Sequence, residues 1–368
     1  MVDRRAFVAV SVLMLLASCE TPTRSPATEP VGDSTTTTAP TTATSRAATP
    51  TTSITATTIS TTTTLTGPRQ VLGYQVFEVP AGSRPHDVAP AGDGTVWYTA
   101  QRTGRVGLLD PRTGEVTEVE VGQRSAPHGV IVGPDGAAWV TDGGLDAIVR
   151  VDRVTFDVDI HPVGRSGARL NTATFDHDGV LWFTGQAGVY GRFDPRTSQA
   201  EVFDAPGGSG PYGIATSPDG AVWYASLAGS HIARIDPSSG EAERVDPPTT
   251  DQGSRRVWSD SKGVIWVAQW NAGQLGRFDP ASGVWDEWRL PGDAPQAYAV
   301  YVDETDTVWL SDFGGDHALV RFDPGSRSFD RFPLPVPGGA VRQLLGVPGE
   351  VWGALSAADA LVVLRYEH

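Results

Sequence analysis

The chain is expected to fold as an all-β, seven-bladed β-propeller of four-stranded blades. Three observations point there. Seven tryptophans, Trp97, Trp139, Trp182, Trp223, Trp266, Trp309 and Trp352, recur at intervals of 41 to 43 residues. Each sits in a short β-rich run behind a small turn, as in Asp93-Gly94-Thr95-Val96-Trp97-Tyr98-Thr99. An Asp-Pro turn returns between later runs, at Asp110-Pro111, Asp194-Pro195, Asp236-Pro237, Asp279-Pro280 and Asp323-Pro324. A repeat of this length that carries several short strands marks a propeller, and seven units mean seven blades.

The elements follow in chain order. Arg4-Arg5 precede an apolar run from Ala6 to Ala17 that is too short to span a bilayer, as in an export signal. Leu16-Ala17-Ser18-Cys19 resembles a bacterial lipobox, which makes residues 1–19 a lipoprotein signal peptide and Cys19 the acylated residue. The plainer reading is a secretory signal with an incidental Cys. Cys19 is the only cysteine, so the chain forms no internal disulfide. Arg4-Arg5-Ala6-Phe7-Val8 is also similar to a twin-arginine signal. The expected location is the outer face of the bacterial cytoplasmic membrane, touched through the lipid alone.

Residues 20–70 are mostly Thr, Ser, Ala and Pro. Such a stretch cannot bury enough apolar surface to offset its conformational entropy, so a disordered tether is expected. Residues 71–368 are left for the propeller. The formal charge of −15 argues against nucleic acid, because phosphate contacts need basic patches. The chain is expected to act as a monomer.

Blade 1 reads as four strands: a from Asp87 to Pro90, b from Thr95 to Ala100, c from Arg105 to Leu109 and d from Val116 to Val121. Asp-Gly and Asp-Pro turns join them. Blades pack face to face, so the tryptophan in strand b is expected to fill the core between blades. The last repeat ends after one strand, Leu361 to Tyr366. Tyr74 to Val79 is available at the front to supply its outer strand and close the ring.

Meander topology sorts residues onto the two faces of the disc. The d-to-a and b-to-c connections share one face, and the structural a-to-b and c-to-d turns share the other. On the first face, His86 and His128 each begin a strand a, eleven residues before their blade tryptophan. The same column holds Asn171, Tyr212, Arg255 and Tyr298, and is ambiguous in blade 7 near Val341 and Arg342. These side chains are expected to ring the channel mouth and bind a small-molecule or peptide ligand. The histidines are candidates for a general base and a substrate holder. Asp142, three residues past Trp139, is expected to support His128 or to hold a cation. Asp312 occupies the same place in blade 6, while His231, Asp316 and His317 lie in loops of that face. There is no nucleophile elbow, no zinc-spaced Cys/His cluster and no phosphate-cradling glycine loop.

Pro211-Tyr212-Gly213-Ile214, Asp219-Gly220, Trp182-Phe183-Thr184 and Asn271-Ala272-Gly273-Gln274-Leu275-Gly276-Arg277 carry a family resemblance. The repeat resembles the streptogramin B lyase (virginiamycin B lyase) family across all seven blades. The resemblance implies a C–O lyase that opens a cyclic depsipeptide or related ester by elimination. It implies a proton-transfer histidine at His128, a second histidine at His86, and Mg²⁺ with an acidic ligand at Asp142. The Glu that closes the family's Trp-Phe-Thr-Glu run is absent from every blade. Two other readings stand beside the lyase: a non-catalytic ligand- or protein-binding propeller, and a lactonase-like metal hydrolase.

Overall fold

The computed structural model describes residues 50–51, 57–59 and 70–367, all within the compact unit Ser45–His368. The expected signal segment with Cys19, and nearly all of the 20–70 stretch, lie outside these residues. The rest forms seven antiparallel sheets, each a meander of four strands, two of them extended by a fifth. Blade 2 is typical, with Pro127–Val132, Ala138–Asp142, Ala147–Val151 and Val158–Pro162 as its strands a to d.

Burial explains the sequence pattern strand by strand. Every strand b, from Val96–Ala100 to Val308–Asp312, is buried at all five positions. A strand with blades on both sides has no solvent face, so it reads as a continuous apolar run rather than an alternating one. The outer strands do meet water, and Val158–Pro162 is exposed or half-buried throughout.

Seven apolar cores lie between the blades. Each joins the tryptophan of one blade to the strands of the next: Trp97 packs with Val130, Ala138 and Val140, Trp139 with Leu181 and Phe183, and Trp309 with Val341 and Val351. Trp352 of blade 7 packs with Val88, Val96 and Tyr98 of blade 1, which completes the circle. All seven repeat tryptophans are buried, as the sequence predicts. A buried indole N–H needs an acceptor. The acidic residue of the a-to-b turn supplies it in blades 2, 3, 5 and 6, as in Trp182 Nε1 to Asp176 at 2.8 Å and Trp309 Nε1 to Asp303 at 2.9 Å. The Asp-Pro turns are built the same way throughout. The Asp carboxylate accepts the amide two residues on, at 2.9 Å in Asp110–Arg112 and 2.8 Å in Asp236–Ser238.

The ring closes as expected. Val71–Glu78 pairs with Ala360–Tyr366 from Val71–Tyr366 to Glu78–Ala360, three residues earlier at its start than the sequence suggested. Phe77 stacks on Trp352 with centroids 5.6 Å apart, and the Tyr74 hydroxyl donates to the Phe332 carbonyl of blade 6 at 2.9 Å. Two short pieces of the 20–70 stretch continue outer edges: Pro50–Thr51 pairs with Glu115–Glu120, and Thr57–Ile59 with Val71–Glu78.

Closure by Val71–Glu78 makes a direct forecast. Phe77→Ala should cost about 3–5 kcal/mol and lower the melting temperature by roughly 5–15 °C. Deleting residues 71–80 should abolish the cooperative transition altogether. A truncated chain that melts like the full one would show that another segment closes the ring.

Candidate functional site

The site is made by a backbone irregularity repeated around the disc. Strand a breaks register at its channel end in six blades, between Pro127 and Gly129, Leu170 and Ala173, Pro211 and Ile214, Ser254 and Arg256, Ala297 and Val300, and Val341 and Leu344. In blade 1 regular pairing starts only at Val88, so His86 and Asp87 sit in the equivalent irregular stretch. A bulge sets extra residues against one partner and re-aims their side chains. In blades 1 to 3 a hydroxyl two residues past the tryptophan holds it. Thr99 Oγ1 accepts the Asp87 amide at 3.1 Å and donates to the His128 carbonyl of the next blade at 2.8 Å. Thr141 does the same for Gly129 at 3.0 Å and the Asn171 carbonyl at 2.5 Å, and Thr184 for Thr172 and the Tyr212 carbonyl.

The column read from the sequence converges at one mouth. The His86 and His128 rings lie 3.9 Å apart between centroids. Asn171 Nδ2 is 3.2 Å from His128 Nε2, and the Tyr212 ring stands edge-on to His128 at 6.2 Å. The Tyr212 and Tyr298 hydroxyls share a hydrogen bond of 2.7 Å. Arg255 donates to Tyr212 at 3.1 Å and lies 3.5 Å above the Tyr298 ring. Arg342 fills the blade 7 position, donating to the Tyr298 hydroxyl at 3.2 Å. It is displaced by one from the eleven-residue offset because four residues separate the paired Gly346 and Val351, against five between the equivalent Phe175 and Leu181 of blade 3.

A second tier, one residue further along the chain, was missed by column reading. It holds Asp87, Thr172, Arg256 and Gln343, which also border a cavity of about 200 Å³ beneath the histidines. Arg256 crosses the channel: Nη1 donates to Thr172 Oγ1 at 2.7 Å and Nη2 to both Asp87 oxygens at 3.2 and 3.4 Å. The signal in the sequence is faint. Position by position the second column reads Asp87, Gly129, Thr172, Gly213, Arg256, Ala299 and Gln343. Nothing local tells that Asp87 and Arg256, 169 residues apart, meet. Gly213 is small for a reason: a Cβ there would lie 2.6 Å from Arg256 Cα.

Hydrogen-bond direction settles the tautomers. Thr172 Oγ1 accepts from Arg256, so its own hydrogen goes to Asn171 Oδ1 at 2.8 Å. The Asn171 amide nitrogen therefore donates to His128 Nε2, and the neutral imidazole carries its proton on Nδ1. His128 Nδ1 is buried and has no partner among the described residues. In His86 the order is reversed. Nδ1 donates to the Asp87 carboxylate at 2.7 Å, which leaves the Nε2 lone pair free.

Burial, reinforced by nearby charge, keeps both rings neutral. Burial pushes His86 well below the ordinary histidine value, and the Arg256, Arg342 and Arg255 charges push the same way. His128 is lowered first by burial and then by His86. Burial raises the Asp87 carboxyl, against the pull of Arg256. The tyrosines split. Tyr212 is raised to about 12, by burial and then by Tyr298. Burial also raises Tyr298, but Arg255, Arg342 and Arg256 outweigh it and leave the phenol below its ordinary value.

Asp142 is not the carboxylate of this site. Its oxygens accept the Ser125 hydroxyl and the amides of Ala126, Gly144 and Leu145, each amide at 2.9 Å. With these donors it clamps the loop ahead of strand a, as Asp312 does in blade 6 with Gln296 and Gly314 at 2.8 Å. The carboxylate that meets the histidines is Asp87. His231 is held by the Gly229 carbonyl at 3.1 Å and His317 by the Gly339 carbonyl at 2.5 Å, both as loop ties.

Mg²⁺ does not fit here. Among the described residues, His86, Asp87 and His128 are the one group of metal-ligating side chains whose donor atoms all lie within 4.8 Å of one another. Mg²⁺ requires hard oxygen ligands in an octahedron. This group offers one carboxylate, already held by Arg256 and His86, and two imidazoles.

The lowered histidines fix the sign of a pH dependence. Below about pH 6.5 the unfolded chain binds protons at both positions that the folded chain refuses, so stability falls as pH falls. Asp87 acts oppositely, one group against two. Stability should fall between pH 6.5 and 5, by up to about 1.4 kcal/mol per pH unit for each histidine, and the melting temperature should drop with it. The double variant His86→Asn, His128→Asn should flatten that slope, to be read from melts at half-unit steps. An unchanged slope would show that the pair is not the source.

Comparisons with known proteins agree with this architecture. The family model described as the virginiamycin B lyase family matches residues 29–318. The selenomethionine-substituted virginiamycin B lyase from Staphylococcus aureus superposes with a TM-score of 0.74 at 17% identity, over 79% of this chain and 98% of that one. A streptogramin B lyase gives 0.74 at 21% identity, over 80% and 97%. The catalytically inactive S. aureus enzyme crystallised with quinupristin gives 0.74 at 18%, over 79% and 98%. No curated protein matches. With its seven four-stranded blades and a family match over most of its length, the chain belongs to the virginiamycin B lyase family.

Proposed function

We propose that the protein is a metal-independent carbon–oxygen lyase in which His86, backed by Asp87, is the base. One observation carries the reading: the His86 Nε2 lone pair is free at the channel mouth while Nδ1 is pinned to a carboxylate. A carboxylate behind an imidazole fixes its orientation and tautomer and stabilises the cation that forms on proton uptake. Burial and the arginine charges lower the basicity of His86, which keeps it unprotonated and ready at neutral pH. His128 takes the other role, packing its neutral ring 3.9 Å from His86 and helping to shape the pocket in which the substrate is held. This reverses the roles that the family resemblance assigns, because the supporting carboxylate belongs to His86.

In the proposed step, His86 Nε2 removes a proton α to a carbonyl. The electron pair forms a carbon–carbon double bond as the β carbon–oxygen bond breaks, and the oxygen leaves with its pair as a carboxylate. No water is consumed. Guanidinium charge, rather than a metal, offsets the developing enolate. The S. aureus relative that binds quinupristin makes this cyclic depsipeptide the first substrate to try. His86→Ala should abolish ring opening, Asp87→Asn should lower kcat by about 10²–10⁴-fold, and His128→Ala should mainly raise KM. A chelator should leave the rate unchanged. The product should keep the mass of the substrate, since a gain of one water means hydrolysis. No turnover by the wild type on quinupristin or simpler β-acyloxy esters would leave a non-catalytic ligand-binding propeller as the better reading.

We also propose that the propeller works outside the cell, as a monomer held to the membrane by an acylated Cys19. The lipobox-like Leu16-Ala17-Ser18-Cys19 supports this, together with the polar stretch behind it. Several acyl chains give stable anchoring at about 0.8 kcal/mol per buried methylene. Cys19→Ala should shift the protein from the membrane to the soluble fraction with its melting temperature unchanged. A variant that still sediments with membranes after a salt wash would refute the anchor.

A further inference from the structure

Two arginines at the channel mouth lack the partner that such groups usually have. The chain carries a net charge of −15, and other buried or half-buried arginines sit against carboxylates, as Arg256 does with Asp87 and Arg321 with Asp330. Arg255 and Arg342 are half-buried, yet no carboxylate among the described residues pairs with either. Arg255 donates to the Tyr212 hydroxyl, and its buried Nε has no acceptor. Arg342 donates to the Tyr298 and Ser356 hydroxyls at 3.2 Å each.

The two guanidiniums flank one phenol. Arg255 lies 3.5 Å from the Tyr298 ring centroid, and Arg342 reaches its hydroxyl. Aromatic rings hold this arrangement rigid. Phe313 stacks on Tyr298 at 4.6 Å, Trp270 meets Tyr298 edge-on at 5.3 Å, and Arg255 lies 4.8 Å from the Trp270 ring. Trp270 and Phe313 are themselves partly exposed, so an apolar surface borders the two charges. The depressed Tyr298 phenol reports the same positive field from within the protein.

We propose that Arg255 and Arg342 form a cradle for the carboxylate of an organic acid, whose apolar or aromatic body lies on Trp270 and Phe313. Guanidinium forks match a planar carboxylate in two hydrogen bonds, and a cation held over aromatic rings in a partly dehydrated mouth gives up little ordering entropy on binding. Inorganic oxyanions share the charge but not the apolar body. The cradle requires no turnover. That the cradle also receives the carboxylate released by elimination, within the arginine field that reaches His86, rests on the function proposed above.

The test is calorimetric titration of the full chain with benzoate, benzamide and inorganic phosphate at low ionic strength. Benzoate should bind saturably, at least about tenfold more tightly than either control, and should weaken as salt is raised. Arg255→Gln and Arg342→Gln should each weaken benzoate binding by at least about tenfold. Arg342→Lys should recover part of the loss. Arg342 is the safer probe, since Arg255 also packs on three rings; thermal melts confirm that each variant is folded. Absence of saturable benzoate binding, equal binding of benzamide or phosphate, or undiminished binding by folded variants would overturn the cradle. Binding without any turnover would retain the cradle and sink the lyase reading. Turnover that ignores both arginines, without anion binding, would do the reverse.

Discussion

Everything in this molecule depends on the closed circle of contacts between blades. No blade has a core of its own. Each tryptophan is buried against the strands of its neighbour, and Trp352 is buried against blade 1 only because Val71–Glu78 completes the last sheet. A single blade cannot bury its own apolar faces, so stability comes from the seven shared interfaces. The ring shape also fixes the distances across the channel. Arg256 and Asp87, from blades 5 and 1, meet at 3.2 Å because the circle can close in one way.

Chemistry is then placed by a defect rather than by regular structure. A regular strand a sends alternate side chains into the two flanking interfaces. The bulge at its channel end turns consecutive residues inward, so His86 with Asp87, Asn171 with Thr172 and Arg255 with Arg256 all reach one site. The Thr99, Thr141 and Thr184 hydroxyls bond the bulge amide on one side and the next blade's carbonyl on the other. They tie the irregular backbone to the ring, and so give side chains on different blades a fixed register.

The electrostatics follow from crowding cations and neutral bases in a buried mouth. Burial disfavours an imidazolium, and three guanidiniums disfavour it further, so the histidines stay neutral and keep directional lone pairs. Asp87 accepts both His86 and Arg256 and thereby joins His86 to the cation cluster. Positive charge at this mouth is supplied by Arg255, Arg256 and Arg342, beside one carboxylate and two imidazoles.

The periodic tryptophans determined the blade number, the Asp-Pro turns determined the hairpins, and the truncated last repeat determined how the ring closes, because these features are local or strictly repeated. The first column of channel residues was legible for the same reason: a constant offset from a buried anchor survives translation into three dimensions. Asp142 looked like the partner of His128 on spacing alone, but its oxygens are taken by amides of its own loop, and loop geometry is not written in spacing. Asp87, Arg256 and Arg342 acquired their places only from tertiary structure. Two of them lie one residue beyond the column, where a bulge re-aims the side chain, and the third sits behind a shortened hairpin. Their cross-channel partners are on other blades, 44 to 169 residues away in sequence, so only closing the ring decides which charges and rings face one another.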